Sequence, residues 1–276
     1  MENPFEKYLP PAVTFYESLL REGVPFDEVE ELMERVDLGK LEKEIVTDAF
    51  GLSKEKVNIL DDERARERTL ASIARLIIEL RKNISEYDTV IGDDASARIL
   101  ALLIGKIIDK KRKESGKNPA QKLFVQGGRH GKEKIWEAVR DFLSEKAKKM
   151  GKTLLVTEYI TSGRGIMPTV LALEASGVDF DLASVSITNN PESYPPEIQR
   201  HLVFGSVGQS GLGLYSRSSE SGVRKNYNRK AGSKDPTLEA PRNPHVEKMK
   251  NAKQDRINFA RRDVSLVAEE LGKLVD

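Results

Sequence analysis

"TLLVTEYITSGRGIMPTVLALEASG", residues 153–177, runs through an aliphatic stretch, a loop of small and hydroxyl residues, and an apolar stretch that reads as a helix. The first part predicts a buried strand, glycines 163 and 165 mark the loop, and Pro168 is compatible with a helix only in its first turn. Strand, loop and helix repeat on either side. Upstream, "DTVIG" (88–92) precedes the helical pattern "ASARILALLIGKIIDKKRK", and "KLFVQGG" precedes "KEKIWEAVRDFLSEKAKKMG"; downstream, "FDLASVSIT" reads as a further strand. Such alternation predicts an α/β fold, a parallel sheet covered by helices on both faces. Ligands in these sheets bind beyond the carboxyl ends of the strands, where both "GDDASAR" and "TEYITSGRG" emerge.

The flanks differ. From Pro11 to about Ile84 the chain reads as helices: "PAVTFYESLLREG", "DEVEELMERV", "LEKEIVTDAFG" and a long segment ending in "LASIARLIIELRKNI". In the last, Leu70, Ile73, Leu76, Ile77 and Leu80 form one apolar stripe. Residues 189–244 are dense in proline, glycine and serine. An amphipathic helix from about His245 to Val275 closes the chain, with Ile257, Val264, Leu266, Val267 and Leu271 as expected core contacts. We therefore expect a helical cap or hood over 1–84, an α/β core over 85–206, and a basic loop-rich segment with a C-terminal helix over 207–276.

Composition narrows the function classes. The absence of cysteine excludes disulfides, thiolate zinc sites and cysteine nucleophiles, and the three histidines are scattered. With 45 basic and 44 acidic residues the net charge is +1, so no global field favours nucleic acid or membrane. Locally, residues 217–262 carry 13 basic and 5 acidic residues, a patch where Arg217, Arg224 and Lys225 beside Tyr215 suit nucleic acid or another anion, unless it is a solvated tail. The opening "MENPFEKYLPP" lacks a basic start followed by an apolar core, and no apolar run approaches the roughly 20 residues that span a bilayer. The expectation is a soluble cytoplasmic protein with no membrane contact, with room for a homodimer.

The loop after residue 156 has the chemistry of an anion site. A strand that ends in hydroxyl residues and glycines before a helix brings backbone N–H groups, side-chain donors and the positive helix end together. Thr161 and Ser162 supply hydroxyls, while Gly163 and Gly165 permit close backbone approach. Glu158, at the strand end, suits sugar hydroxyls beside a phosphate better than the phosphate itself. The bland alternative is an ordinary glycine-rich turn.

This run of strand, acid, two apolar or aromatic positions, Thr-Ser-Gly-x-Gly and helix resembles the phosphoribosyl pyrophosphate loop of the type I phosphoribosyltransferase family. The resemblance covers roughly residues 86–206. It implies that Glu158 contacts the ribose hydroxyls and that Thr161, Ser162, Gly163, Arg164 and Gly165 surround the 5′-phosphate. The chain departs from the family pattern twice: Thr157 stands where the first acid is expected, and Gly165 where a Thr or Ser is expected.

By the same resemblance "GDDASARIL" falls at the pyrophosphate loop. The amides of Ala95, Ser96 and Ala97 and the guanidinium of Arg98 would meet pyrophosphate, with Asp93 and Asp94 serving a bridging Mg2+; alternatively Asp94 or Ser96 simply caps the following helix. "QGGRHGKEK" (126–134) falls where the family carries a mobile loop, giving Arg129 charge to offer, or it is a solvated basic loop. The family usually joins these strands by a hairpin, whereas here a helix intervenes.

The implied reaction displaces pyrophosphate from phosphoribosyl pyrophosphate by a nitrogen acceptor, with magnesium neutralising the leaving group. Threonine at 161, where purine-specific members often have an acid, disfavours hypoxanthine or guanine as acceptor. Two other readings remain: a regulatory module that binds phosphoribosyl groups or nucleotides without turnover, and a nucleic-acid-associated protein led by residues 217–262.

Overall fold

In the computed structural model, which describes residues 63–93, 97–125, 133–208 and 262–275, five strands form an all-parallel sheet with helices on both faces. The elements are α1 (Glu63–Leu80), β1 (Thr89–Asp93), α2 (Arg98–Glu114), β2 (Gln121–Val125), α3 (Glu133–Lys146), β3 (Thr153–Ile160), α4 (Met167–Ala175), β4 (Phe180–Ile187), α5 (Pro196–Gln199) and β5 (Leu202–Val207). A last helix, α6, occupies residues 262–272. The α/β expectation therefore holds. The first three N-terminal helical segments, the loop 126–132 and the basic stretch up to residue 261 lie outside the described residues.

Strand alternation explains the layers. Val90, Leu154, Val156, Ala183 and Val185 share a core with α1, α2 and α6. Their neighbours Ile91, Leu155 and Leu182 share the other core with α3, α4 and α5. The expected α1 stripe, Leu70 to Leu80, is buried throughout.

In α6 the buried stripe is Val264, Val267, Ala268 and Leu271, spaced as one helix face. Leu266 is 36% exposed, so its expected core role fails: it sits one residue before Val267 and thus about 100° around the helix from it. Ile257 lies outside the described residues.

The sheet order is β2-β1-β3-β4-β5. The chain steps outward from β1 to β2 and then returns past β1 to β3, so the topology reverses between β1 and β3, the point where parallel α/β sheets form a crevice at their carboxyl ends. At the amino ends the polar groups are used structurally. Buried Arg112 donates to the carbonyls of Tyr87 (3.0 Å) and Asn118 (2.6 Å) and pairs with Asp88 at 2.9 Å. Tyr87 donates its hydroxyl to Asp181 at 2.6 Å, and burial, followed by that hydrogen bond, holds its ionisation well above the usual tyrosine range. The carboxyl edge is left for a site.

Candidate functional site

β3 extends past the end of β1, because Gly92 faces Val156 while β3 continues to Ile160. Residues 157–160 thus form a shelf beside the crevice. Glu158 is 3% exposed there and falls on the strand face of Leu154 and Val156. One step beyond the Gly92–Val156 pair, Thr157 donates its hydroxyl to Asp93 Oδ2 at 3.4 Å.

The loop that follows is braced from beneath. Tyr194 donates its hydroxyl to the Ile160 carbonyl (2.9 Å), Thr188 N–H donates to the same carbonyl (3.0 Å), and Asn189 Nδ2 donates to the Thr161 carbonyl (3.1 Å). Gly163 is buried in the left-handed region at φ +74°, which calls for glycine, and a Cβ there would lie 2.4 Å from Ile198 Cδ1, so the end of that side chain would also have to move. Its carbonyl accepts from Ile166 N–H (3.2 Å) and Met167 N–H (3.0 Å), closing the turn into α4.

The loop's carbonyls at 160, 161 and 163 are therefore engaged with the protein. Its donors are not: among the described residues, no backbone carbonyl accepts from the N–H groups of Ser162, Gly163, Arg164 or Gly165. Successive N–H groups around a left-handed residue make an anion-binding concavity. Helix α4 adds to it. Its N-cap residue is Ile166, which has no capping side chain, and Pro168 supplies no N–H in the first turn. Thr161, Ser162 and Arg164 are exposed at the loop surface.

One hydroxyl escaped the sequence reading. Thr169 Oγ1, in the first turn of α4, is buried without a hydrogen-bond partner among the described residues. Side chains on a helix tilt toward its N-terminus, which here is the end that the loop enters. Only its place three residues inside a helix start signalled it. Tyr194, Asn189 and Ile198 were also missed, because they come from a proline-rich stretch with no period to read.

The β1 loop is partly described. Asp93 ends β1, and residues 94–96 lie outside the described residues, as does Arg129. Ala97 is fully buried and its N–H donates to the Asp93 carbonyl at 3.0 Å. That amide is thus used in the turn entering α2 and is not available to a pyrophosphate. Arg98 opens α2 at the same edge of the sheet, with its guanidinium 4.6 Å from the centre of the Phe124 ring. Gly92 makes room for this packing, since a Cβ there would lie 2.9 Å from Phe124 Cδ1.

Among the described residues no group of three His, Asp or Glu side chains could hold a metal ion, and no helix is long and apolar enough to cross a membrane. No protein-family model matches this chain, and no curated protein matches it.

Proposed function

We propose that the crevice between β1 and β3 binds a phosphorylated ribose, with the phosphate on the loop 161–165, and that the protein is a phosphoribosyltransferase-like enzyme. The observation that carries this reading is the loop's run of donors: the carbonyls of Ile160, Thr161 and Gly163 are tied into the protein, while the four consecutive N–H groups of residues 162–165 take no backbone acceptor among the described residues. Thr161 and Ser162 add hydroxyl donors, Arg164 a guanidinium, and Glu158, three residues earlier on β3, a carboxylate for sugar hydroxyls.

On this reading Arg98 faces the leaving diphosphate from the start of α2, with Ser96 and Ala95 of the same loop. Magnesium, when bound, supplies charge neutralisation. It takes most of its ligands from phosphate oxygens and water, so a single carboxylate such as Asp93 or Asp94 suits it and a dedicated protein cage is not needed. The chain's own residues position the sugar and exclude water from it. A nitrogen acceptor, and the hood that selects it, belong to the segments outside the described residues. The family core with an N-terminal helical hood and a C-terminal extension is part of the same proposal.

A second reading, binding without turnover, is favoured by Thr157 in place of an acid. Calorimetric titration with phosphoribosyl pyrophosphate, with and without magnesium, tests both. The expected result is magnesium-strengthened binding that falls about tenfold or more in Glu158→Gln, the cost of losing a charged hydrogen-bond partner of about 1.5–3 kcal/mol. No heat at millimolar ligand in either condition removes both readings. Binding without pyrophosphate release, across a panel of nitrogen acceptors, selects the second.

A further inference from the structure

The sheet edge opposite the phosphate loop carries an excess of positive charge. The first residues of β1, β2 and β3 stand level there, since Thr89 pairs with both Gln121 and Thr153. The turns that lead into these strands, residues 81–88, 115–120 and 147–152, therefore share one surface. Backbone bonds hold them to one another: Gln121 N–H donates to the Asp88 carbonyl at 2.8 Å, and Asp88 N–H to the Lys152 carbonyl at 2.7 Å. Lys117 Nζ adds a bond to the Ser85 carbonyl at 3.2 Å. Together with the last turns of α2 and α3, residues 81–88, 109–122 and 144–152 hold 12 basic and 5 acidic side chains, on a chain whose net charge is +1.

The acids of this edge already have internal partners. Asp88 pairs with Arg112 (2.9 Å) and accepts from Lys152 N–H (3.2 Å), Glu86 pairs with Lys152 (3.0 Å), Glu114 with Lys111 (2.8 Å), and Asp109 with Lys122. Arg81, Lys82, Lys113, Lys148 and Lys149 differ: they are exposed, and their side chains make no hydrogen bond or ion pair among the described residues. Cations at a helix end complement its dipole, which accounts for Lys113 on α2. It does not account for cations from three turns gathering on one surface whose acids are engaged elsewhere. The turn into β4, with Asp179 and Asp181, bounds this surface on the far side of β3.

We propose that this amino-end surface binds the phosphate backbone of duplex DNA without reading its sequence. The residue types select the partner. Protein interfaces are depleted of lysine, and both they and bilayers call for apolar or aromatic anchors. The exposed large hydrophobic side chains among the described residues are Leu102 and Leu266, and neither lies in these turns. Single strands and RNA loops are held by stacking unpaired bases on aromatic rings. Tyr87, the aromatic residue of these turns, is buried. What the edge offers is ammonium and guanidinium charge on long stems above a hydrogen-bonded frame, which suits phosphates whatever the base sequence. The proposal is independent of the phosphoribosyl reading, whose residues lie at the other edge of the sheet.

Fluorescence anisotropy of a labelled random-sequence DNA duplex, titrated with the full chain, tests it. The native chain is expected to bind with a dissociation constant of about 1–100 µM, the range of sequence-independent contacts at physiological salt. Its log affinity is expected to fall against log salt with a slope of about −3 to −5, as roughly three to five phosphates are neutralised. Lys113→Ala, Lys148→Ala and Lys149→Ala combined are expected to weaken binding about tenfold or more and to flatten the slope by about three, roughly one per lysine. Lys113→Arg, Lys148→Arg and Lys149→Arg combined keep both affinity and slope, which separates charge from folding. An alanine variant that binds as the native chain does assigns the affinity elsewhere, the basic segment 217–262 included, and overturns the proposal. Loss of binding in the arginine variant also overturns it. So does a native chain that fails to bind the duplex at low salt, or that binds single-stranded DNA, duplex RNA or phosphatidylserine vesicles more tightly.

Discussion

Gly163 carries the strongest single-residue constraint in the site. Its φ of +74° decides this, and a Cβ there would also displace the end of the Ile198 side chain. The left-handed backbone alone costs an L-residue about 1–2 kcal/mol. Gly163→Ala is therefore expected to lower the free energy of unfolding in urea by at least that amount and to weaken phosphate binding. Gly165 is the internal control: a Cβ there meets nothing within 4 Å, so Gly165→Ala is expected to stay within about 0.5 kcal/mol of the native stability. Equal losses in the two variants would contradict the assignment of the turn to Gly163. The sequence marks both glycines as loop residues, but it does not distinguish them. That distinction comes from the folded backbone, which holds Gly163 and not Gly165 at positive φ, and from Ile198, thirty-five positions away, which folding brings under the loop.

Among the elements, β5 and α1 show how a fold is completed by parts that carry weak local signals. "LVFGSV" (202–207) follows a proline-rich stretch and is interrupted by Gly205, so no strand was expected beyond β4. Its glycine has a tertiary cause: a Cβ on Gly205 would lie 1.9 Å from the Ser72 carbonyl oxygen of α1. Helix and strand pack too closely for any side chain there. Gly205→Ala is expected to cost about 1–3 kcal/mol, the range of overpacking, measured by urea unfolding. A neutral substitution would show that α1 does not press on the sheet at this point. The longer elements were legible because their aliphatic runs and helical stripes repeat locally. α6 was half legible, since its period identified Val264, Val267 and Leu271 but could not assign Leu266 to the exposed side without knowing the rotation of the helix.

At the scale of the whole molecule, structural polar groups and candidate site groups occupy opposite edges of one sheet. Arg112, Tyr87, Asp88 and Asp181 hydrogen-bond one another at the amino ends, while Asp93, Thr157, Glu158 and the loop 161–165 gather at the carboxyl ends around the reversal. The strand-loop-helix order in the sequence was enough to point at this edge. The pairing of Asp93 with Thr157 was not readable, because 64 residues separate them and it depends on β1 and β3 lying side by side. The engagement of the loop's carbonyls was hidden for the same reason. The central claim is that the N–H groups of Ser162, Gly163, Arg164 and Gly165 receive a phosphate. Backbone amide NMR during titration with ribose 5-phosphate tests it most directly. Saturable shifts concentrated on those four amides, with smaller ones at Thr157 and Glu158, are the expected result. Saturable shifts elsewhere with these four amides unmoved, or no shifts at millimolar ligand, would contradict it.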